Sequence, residues 1–185
     1  MSTQPLEQAI AATRSVLAGV ASDQLDAPSP CAQWKVRDVV NHIVGGQKFF
    51  TTAMRGEQPG GDEVDYAAGD FLASFDDESR QCIEAFQADG ALQKTVSLPF
   101  GDMPGAAVMG LLTTDTFTHA WDVAKATGQD TDLAPELAVQ LLETSKVMIQ
   151  PAFRSEEGTV FGPEQPAPEG ASAADQLAAF LGRKV

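Results

Sequence analysis

The chain carries two histidines, His42 and His119, and helical periodicity turns both inward. In "TTDTFTHAWDVAKATG", residues 113–128, Asp115 precedes His119 by four positions and Asp122 follows it by three. Residues three or four apart share one face of a helix, so a carboxylate and an imidazole at these spacings can meet at one point. Val108 and Leu112 extend that face, with Leu111 and Val123 flanking it, and the pattern predicts burial. A buried carboxylate or imidazole without a partner is costly. His42 lies one turn beyond Val39 and one turn before Gly46, on a side shared with Phe49. The pair Gly45-Gly46 costs a helix interior about 1 kcal/mol per glycine relative to alanine. That cost is tolerated where a backbone or a ligand must come close.

Two imidazoles and a carboxylate form a three-ligand set with one position left for water or substrate. This is the pattern of a catalytic zinc site, and nickel, iron and cobalt accept the same donors. The spacing is equally compatible with a core histidine bonded to a carbonyl, an intrahelical Asp115–His119 pair, and an exposed His42 beside Asn41. Whether a third ligand arrives from another helix is not written in the spacing.

These residues must be placed by helices. Apolar spacing predicts a first helix over about 5–22, a second over about 36–55, a third over about 66–88 and a fourth from Pro104 to Thr127. Pro104 suits a first turn and Gly128 a C-terminal cap. A fifth helix is expected over about 135–153. A Pro/Gly-rich loop then leads to a short terminal helix over 173–181. Val96, Leu98 and Phe100 alternate with polar or turn residues, so a short extended connector is expected near 95–103. The expected class is all-α: a four-helix bundle with additional C-terminal helices, one domain over 1–185.

Composition narrows the function. The chain has 185 residues, 43% hydrophobic and 21% charged, with 26 acidic against 12 basic side chains and a formal charge of −14. Nucleic acid is bound chiefly through Lys and Arg, so a field of this sign argues against it and disfavours anionic membranes. No run approaches the roughly 20 apolar residues of a membrane span. The N-terminus has no signal pattern, and a cytoplasmic location is expected by default. Cys31 and Cys82 form no CxxC pair and are expected to be reduced and unpaired. Small-molecule substrates or protein partners remain, and a homodimer is compatible with the sequence.

Three segments carry a resemblance. "SPCAQWKVRDVVNHIVGG" at 29–46, "THAWDVAKATGQD" at 118–130 and "FGPEQPAPEGASAADQLAAFLGR" at 161–183 resemble the DinB-like, mycothiol-dependent maleylpyruvate isomerase superfamily. The second matches its H-x-W-D-x-A-x-A-T-G signature, and the third looks like the small single-domain actinobacterial branch. The resemblance spans residues 8 to 183. It implies a DinB-like four-helix bundle holding a divalent metal, with His42, Asp115 and His119 as the ligands. It further implies a low-molecular-weight thiol such as mycothiol as cofactor, and a transferase or isomerase acting on a small electrophile. A non-catalytic protein that binds or senses a ligand through the same metal is the alternative. One departure stands out: the isomerase's acidic ligand is a glutamate, and the shorter Asp115 would draw the metal towards the fourth helix. The chain also ends before the isomerase's further C-terminal domain, so residues of that domain are not expected here.

The neighbours divide two ways. Asp122 either accepts a hydrogen bond from the other nitrogen of His119 or pairs with Arg37 or Lys125. Arg37 either meets an anionic cofactor or substrate or makes a structural ion pair. Trp34 and Trp121 read as packing residues. Cys31 precedes a helix, a position that can lower a thiol pKa, while Cys82 reads as core. Tyr66 and the run Asp76-Asp77-Glu78 read as solvated surface. The stretch "LPFGDMP" at 98–104 is either a plain connector or a cover over the metal mouth. No side chain stands out as a general base, so no catalytic residue is assigned.

Overall fold

Apolar stripes at helical spacing form the frame. The computed structural model describes residues 2–31, 33–60, 64–154 and 161–185. Helix α1 (Gln4–Ala18) buries Leu6, Ala9, Ile10, Thr13, Val16 and Leu17, with Pro5 in its first turn. Helix α2 (Val36–Met54) starts where the Asp38 carboxylate accepts from the Lys35 backbone N–H at 2.8 Å, satisfying a donor just ahead of the helix. Helix α3 (Phe71–Gln87) is capped by Asp70 and α4 (Gly105–Thr127) ends at Gly128, whose φ of 72° closes the helix as expected. α1 packs on α4, and α2 packs between α3 and α4. The four form the expected bundle.

Helices α5 (Pro135–Met148) and α6 (Ala173–Phe180) pack on each other, and α6 also meets α4. They build a second apolar cluster, in which Phe117 and Trp121 of α4 are buried among Leu137, Leu141, Leu177 and Leu181. This is why α4 is buried on nearly every side from Thr116 to Ala124. One side of it faces the bundle and the other faces the C-terminal helices.

The class is all-α, and the differences from expectation lie at element edges. The first helix ends at Ala18, and Ser22–Gln24 form a separate 3-10 turn. The third is interrupted: Tyr66–Ala68 make a 3-10 turn, Gly69 is extended, and α3 begins only at Phe71. The fifth stops at Met148 because Pro151 opens another 3-10 turn. The connector is a hairpin of β1 (Thr95–Leu98) and β2 (Gly101–Pro104), antiparallel with Thr95 opposite Pro104 and Leu98 opposite Gly101. Val96 and Leu98 face the core. Pro104 closes β2 and precedes α4 rather than lying in its first turn. No helix among the described residues is long and apolar enough to cross a membrane.

Candidate metal centre

α2 and α4 lie side by side and bring three of the expected residues to one point. His42 comes from the first half of α2; Asp115 and His119 come from successive turns of α4. His42 Nε2 is 3.3 and 3.1 Å from the two Asp115 carboxylate oxygens, and His119 Nε2 is 3.5 Å from Asp115 Oδ1. One donor atom from each residue lies within 4.8 Å of the other two. The imidazole centroids are 4.6 Å apart, nearly perpendicular. Asp115 and His42 keep 29% and 37% of their side chains exposed, whereas His119 keeps 9%.

Asp122 makes the first arrangement considered for it and not the second. Its Oδ2 lies 3.0 Å from His119 Nδ1, while its ion-pair partner is Arg183 rather than Arg37 or Lys125. Arg183 Nη2 donates to Oδ2 at 3.1 Å and Nε to Oδ1 at 3.3 Å. Asp122 is fully buried, and a buried carboxylate needs such partners. A carboxylate only accepts, so His119 Nδ1 carries the hydrogen and Nε2 is the nitrogen aimed at Asp115.

Charge follows from this packing. Burial opposes the charged form of His42, but the hydrogen bond and charge of Asp115 hold its pKa above the usual histidine range. Burial likewise opposes ionisation of Asp115. The His42 hydrogen bond and the nearby His119, His42 and Arg183 charges outweigh it and lower the Asp115 pKa. Two imidazole nitrogens and a carboxylate thus face one another, an arrangement satisfied by a proton on His42 Nε2 or by a cation between them.

Other expectations sort as follows. Trp34 packs against the site itself: its ring stands 5.0 Å from His42 and 5.6 Å from His119, stacked on the latter. The loop that delivers it turns through Gln33 in the left-handed region (φ 68°), a conformation costly for a non-glycine residue. Trp121 is wholly buried, and its indole N–H donates to Asp175 at 2.8 Å. Arg37 lies 3.6 Å from Asp26 and 3.4 Å from Asp65, so an anion would have to compete with two carboxylates. Cys31 lies beside His119 and Asp122. Burial and the Asp122 charge push its thiol up rather than down. The guanidinium already on Asp122 makes that trio ill suited to a second cation. Burial pushes the Cys82 thiol up to about 12, as fits a core residue.

A cavity of about 720 Å³ opens beside His42 and Trp34 and runs along α2 past Gly45, Lys48, Phe49 and Thr52. Its far wall includes Asp65 and Tyr66, so Tyr66 is a cavity residue and not solvated surface. The Asn41 side chain accepts from Ala67 N at 2.8 Å and donates to Asp65 at 3.0 Å, tying that wall to α2. A Cβ at Gly45 would meet only the Tyr66 ring at 3.9 Å, and one at Gly46 would meet nothing within 4 Å. No protein backbone therefore explains the glycine pair. The hairpin at 95–104 contributes nothing to the lining, which favours the plain connector. Of these features Arg183 was invisible to spacing, lying 61 positions from Asp122. The Tyr66 wall was hidden because Gly69 breaks the helical pattern that set its orientation.

The geometry can be set beside known proteins. The model of the mycothiol maleylpyruvate isomerase N-terminal domain matches residues 6–124. Two Mycobacterium tuberculosis proteins, Uncharacterized protein MT0763 (strain CDC 1551 / Oshkosh) and Uncharacterized protein Rv0738 (strain ATCC 25618 / H37Rv), are each 42% identical over 187 residues, covering 100% of this chain and 97% of theirs. The crystal structure of the mycothiol-dependent maleylpyruvate isomerase superposes with a TM-score of 0.59 at 13% identity, over 76% of this chain. The chain spans 65% of that structure's length, and the likeness is one of fold. Together with the all-α bundle, the match over residues 6–124 makes this chain a member of the mycothiol maleylpyruvate isomerase N-terminal domain family.

Proposed function

We propose that the chain binds one divalent metal, zinc by preference with nickel, iron or cobalt as alternatives, through His42, Asp115 and His119. With it the chain uses a low-molecular-weight thiol of the mycothiol type to transfer to, or isomerise, a small electrophile. The observation that carries this reading is the set of three potential ligand atoms within 4.8 Å of one another on two helices. Two imidazoles and one carboxylate fit a site that keeps a position open. A bound divalent ion supplies positive charge that favours the thiolate form of a thiol.

The chain's own residues account for the rest. Asp122 holds the Nδ1–H of His119 so that Nε2 stays directed at the centre. Trp34 lies against both imidazoles and shields them from water on that side. The cavity meets the centre at His42, and its size falls within the ~300–1,000 Å³ common for small-molecule pockets. Lys48 offers a cation along its wall and Phe49 an apolar surface. Arg37 is kept outside the set, engaged by Asp26 and Asp65.

Metal analysis of the purified protein tests the site, with His42→Ala and His119→Ala as controls. One equivalent in the wild type, lost in both variants while the helical circular dichroism persists, supports it. No metal after supplementation sinks it. Consumption of a thiol with a small electrophile then separates an enzyme from a binding protein, since a binder holds metal without turnover.

A further inference from the structure

Arg183 lies outside the part of the chain that the family model matches, residues 6–124, yet its guanidinium reaches Asp122 of α4, behind His119. The C-terminal segment delivers it through a series of specific contacts. Leu177, Ala178 and Leu181 are buried in the second apolar cluster, and Trp121 donates to Asp175 at the start of α6. The Arg154 guanidinium donates to the Gly162 and Phe180 carbonyls at 2.9 and 2.7 Å and stacks over the Phe180 ring. Gly182, with φ 95°, turns the chain where its Cα approaches Gly162. A Cβ there would lie 2.8 Å from the Gly162 Cα. Arg183 N then donates to the Ala178 carbonyl at 2.9 Å.

The direction of this reach matters. Arg183 grips Asp122 with both Nε and Nη2, and a two-point fork fixes the plane of a carboxylate as a single contact cannot. The same carboxylate oxygen that takes Nη2 also faces His119 Nδ1. We infer that Arg183 is a positioning residue of the metal centre: by fixing Asp122 it fixes the ring orientation of His119, so the docked C-terminal segment completes the site. The inference rests on the metal reading above for its consequence. Its geometry stands independently, because the Arg183–Asp122–His119 chain consists of contacts between protein side chains alone.

The test uses the full chain with Arg183→Gln, which removes charge and fork, and Arg183→Lys, which keeps the charge alone. Two histidines make the imidazole region of an NMR spectrum assignable. In metal-free wild type, His119 should show a slowly exchanging Nδ1 proton. In Arg183→Gln that signal is lost, while the Trp121 indole N–H, which reports the bond to Asp175, remains. Zinc affinity falls by roughly 10–100-fold, as for loss of other partners behind a ligand. Arg183→Lys should fall between the two. The inference is overturned if the His119 proton and zinc affinity are unchanged in both variants. It is equally overturned if affinity falls only in step with loss of the Trp121 signal, since the segment would then act through docking alone. A wild type that binds no zinc defeats the metal reading, and the proton comparison still decides the role of Arg183.

Discussion

His42 and His119 point at the same carboxylate from opposite helices, yet they are held very differently. His119 is nine-tenths buried, and a chain of hydrogen bonds runs from its Nδ1 through Asp122 to Arg183. His42 is over a third exposed and stands at the edge of the cavity, and among the described residues its hydrogen-bonding side-chain partner is Asp115. A buried, doubly tethered imidazole defines where the centre is. An exposed, singly tethered one can adjust to what enters. The division follows from the fold: α4 is enclosed by the bundle and by α6, whereas the outer face of α2 forms the cavity floor.

Removing either ligand should have the largest effect on metal binding. His119→Ala and His42→Ala are each expected to weaken zinc by more than about 100-fold, the upper end for loss of an outer partner. They should differ in stability. His119→Ala opens a buried space and leaves Asp122 with one partner fewer, so its melting temperature should fall further than that of His42→Ala. Equal melting temperatures would erase the contrast between the two imidazoles.

Next comes the tether. Asp122→Ala leaves the Arg183 guanidinium inside the protein without its carboxylate, a change that costs about 3–5 kcal/mol when such a pair is buried. Urea denaturation should register that loss, and zinc titration should register a further ~10–100-fold fall in affinity. A variant as stable as wild type would mean that Arg183 simply finds water.

Acidity should separate the metal-free and metal-bound forms. In the metal-free protein the raised His42 pKa gives stability that is full below about pH 6.5 and lost as pH rises through the higher folded value. The lowered Asp115 pKa gives stability present above about pH 3.9 and lost as pH falls through the lower folded value. Their contact therefore contributes most between these limits. A metal needs the imidazole neutral, so zinc affinity should fall on acidification through the raised His42 pKa, approaching tenfold per pH unit for one competing proton. Thermal melts across pH, with and without zinc, should show the stability maximum moving to higher pH when zinc is added. The smallest effect concerns the cavity floor. Gly45→Ala should stabilise the protein by up to about 1 kcal/mol, since its Cβ meets only Tyr66 at van der Waals distance. Metal content should be unchanged, and destabilisation would indicate a contact that the structure lacks.

Much of this architecture was readable from residue order, and what was not has physical causes. Apolar spacing placed the four bundle helices to within a few residues, and the i,i+4 relation placed Asp115 and His119 together. Periodicity could not say that α4 is covered on its far side too, because that cover comes from α5 and α6. Arg183 escaped for the same reason: a contact 61 positions away follows from the docking of a segment and not from a pattern. The glycine pair in α2 pointed to a close backbone or ligand; no backbone approaches it, and the wall across from it comes from Tyr66, beyond a break in the helix at Gly69. Position ahead of a helix could not settle the Cys31 thiol, because burial and the Asp122 charge push its pKa up.

The central claim is that three side chains from two helices make one cation site. Titration of the metal-free protein with zinc, followed by calorimetry, tests it most directly. The account predicts one equivalent per chain in the wild type and no stoichiometric binding in His42→Ala or in His119→Ala. Absence of binding in the wild type, or full binding in both variants, would contradict it.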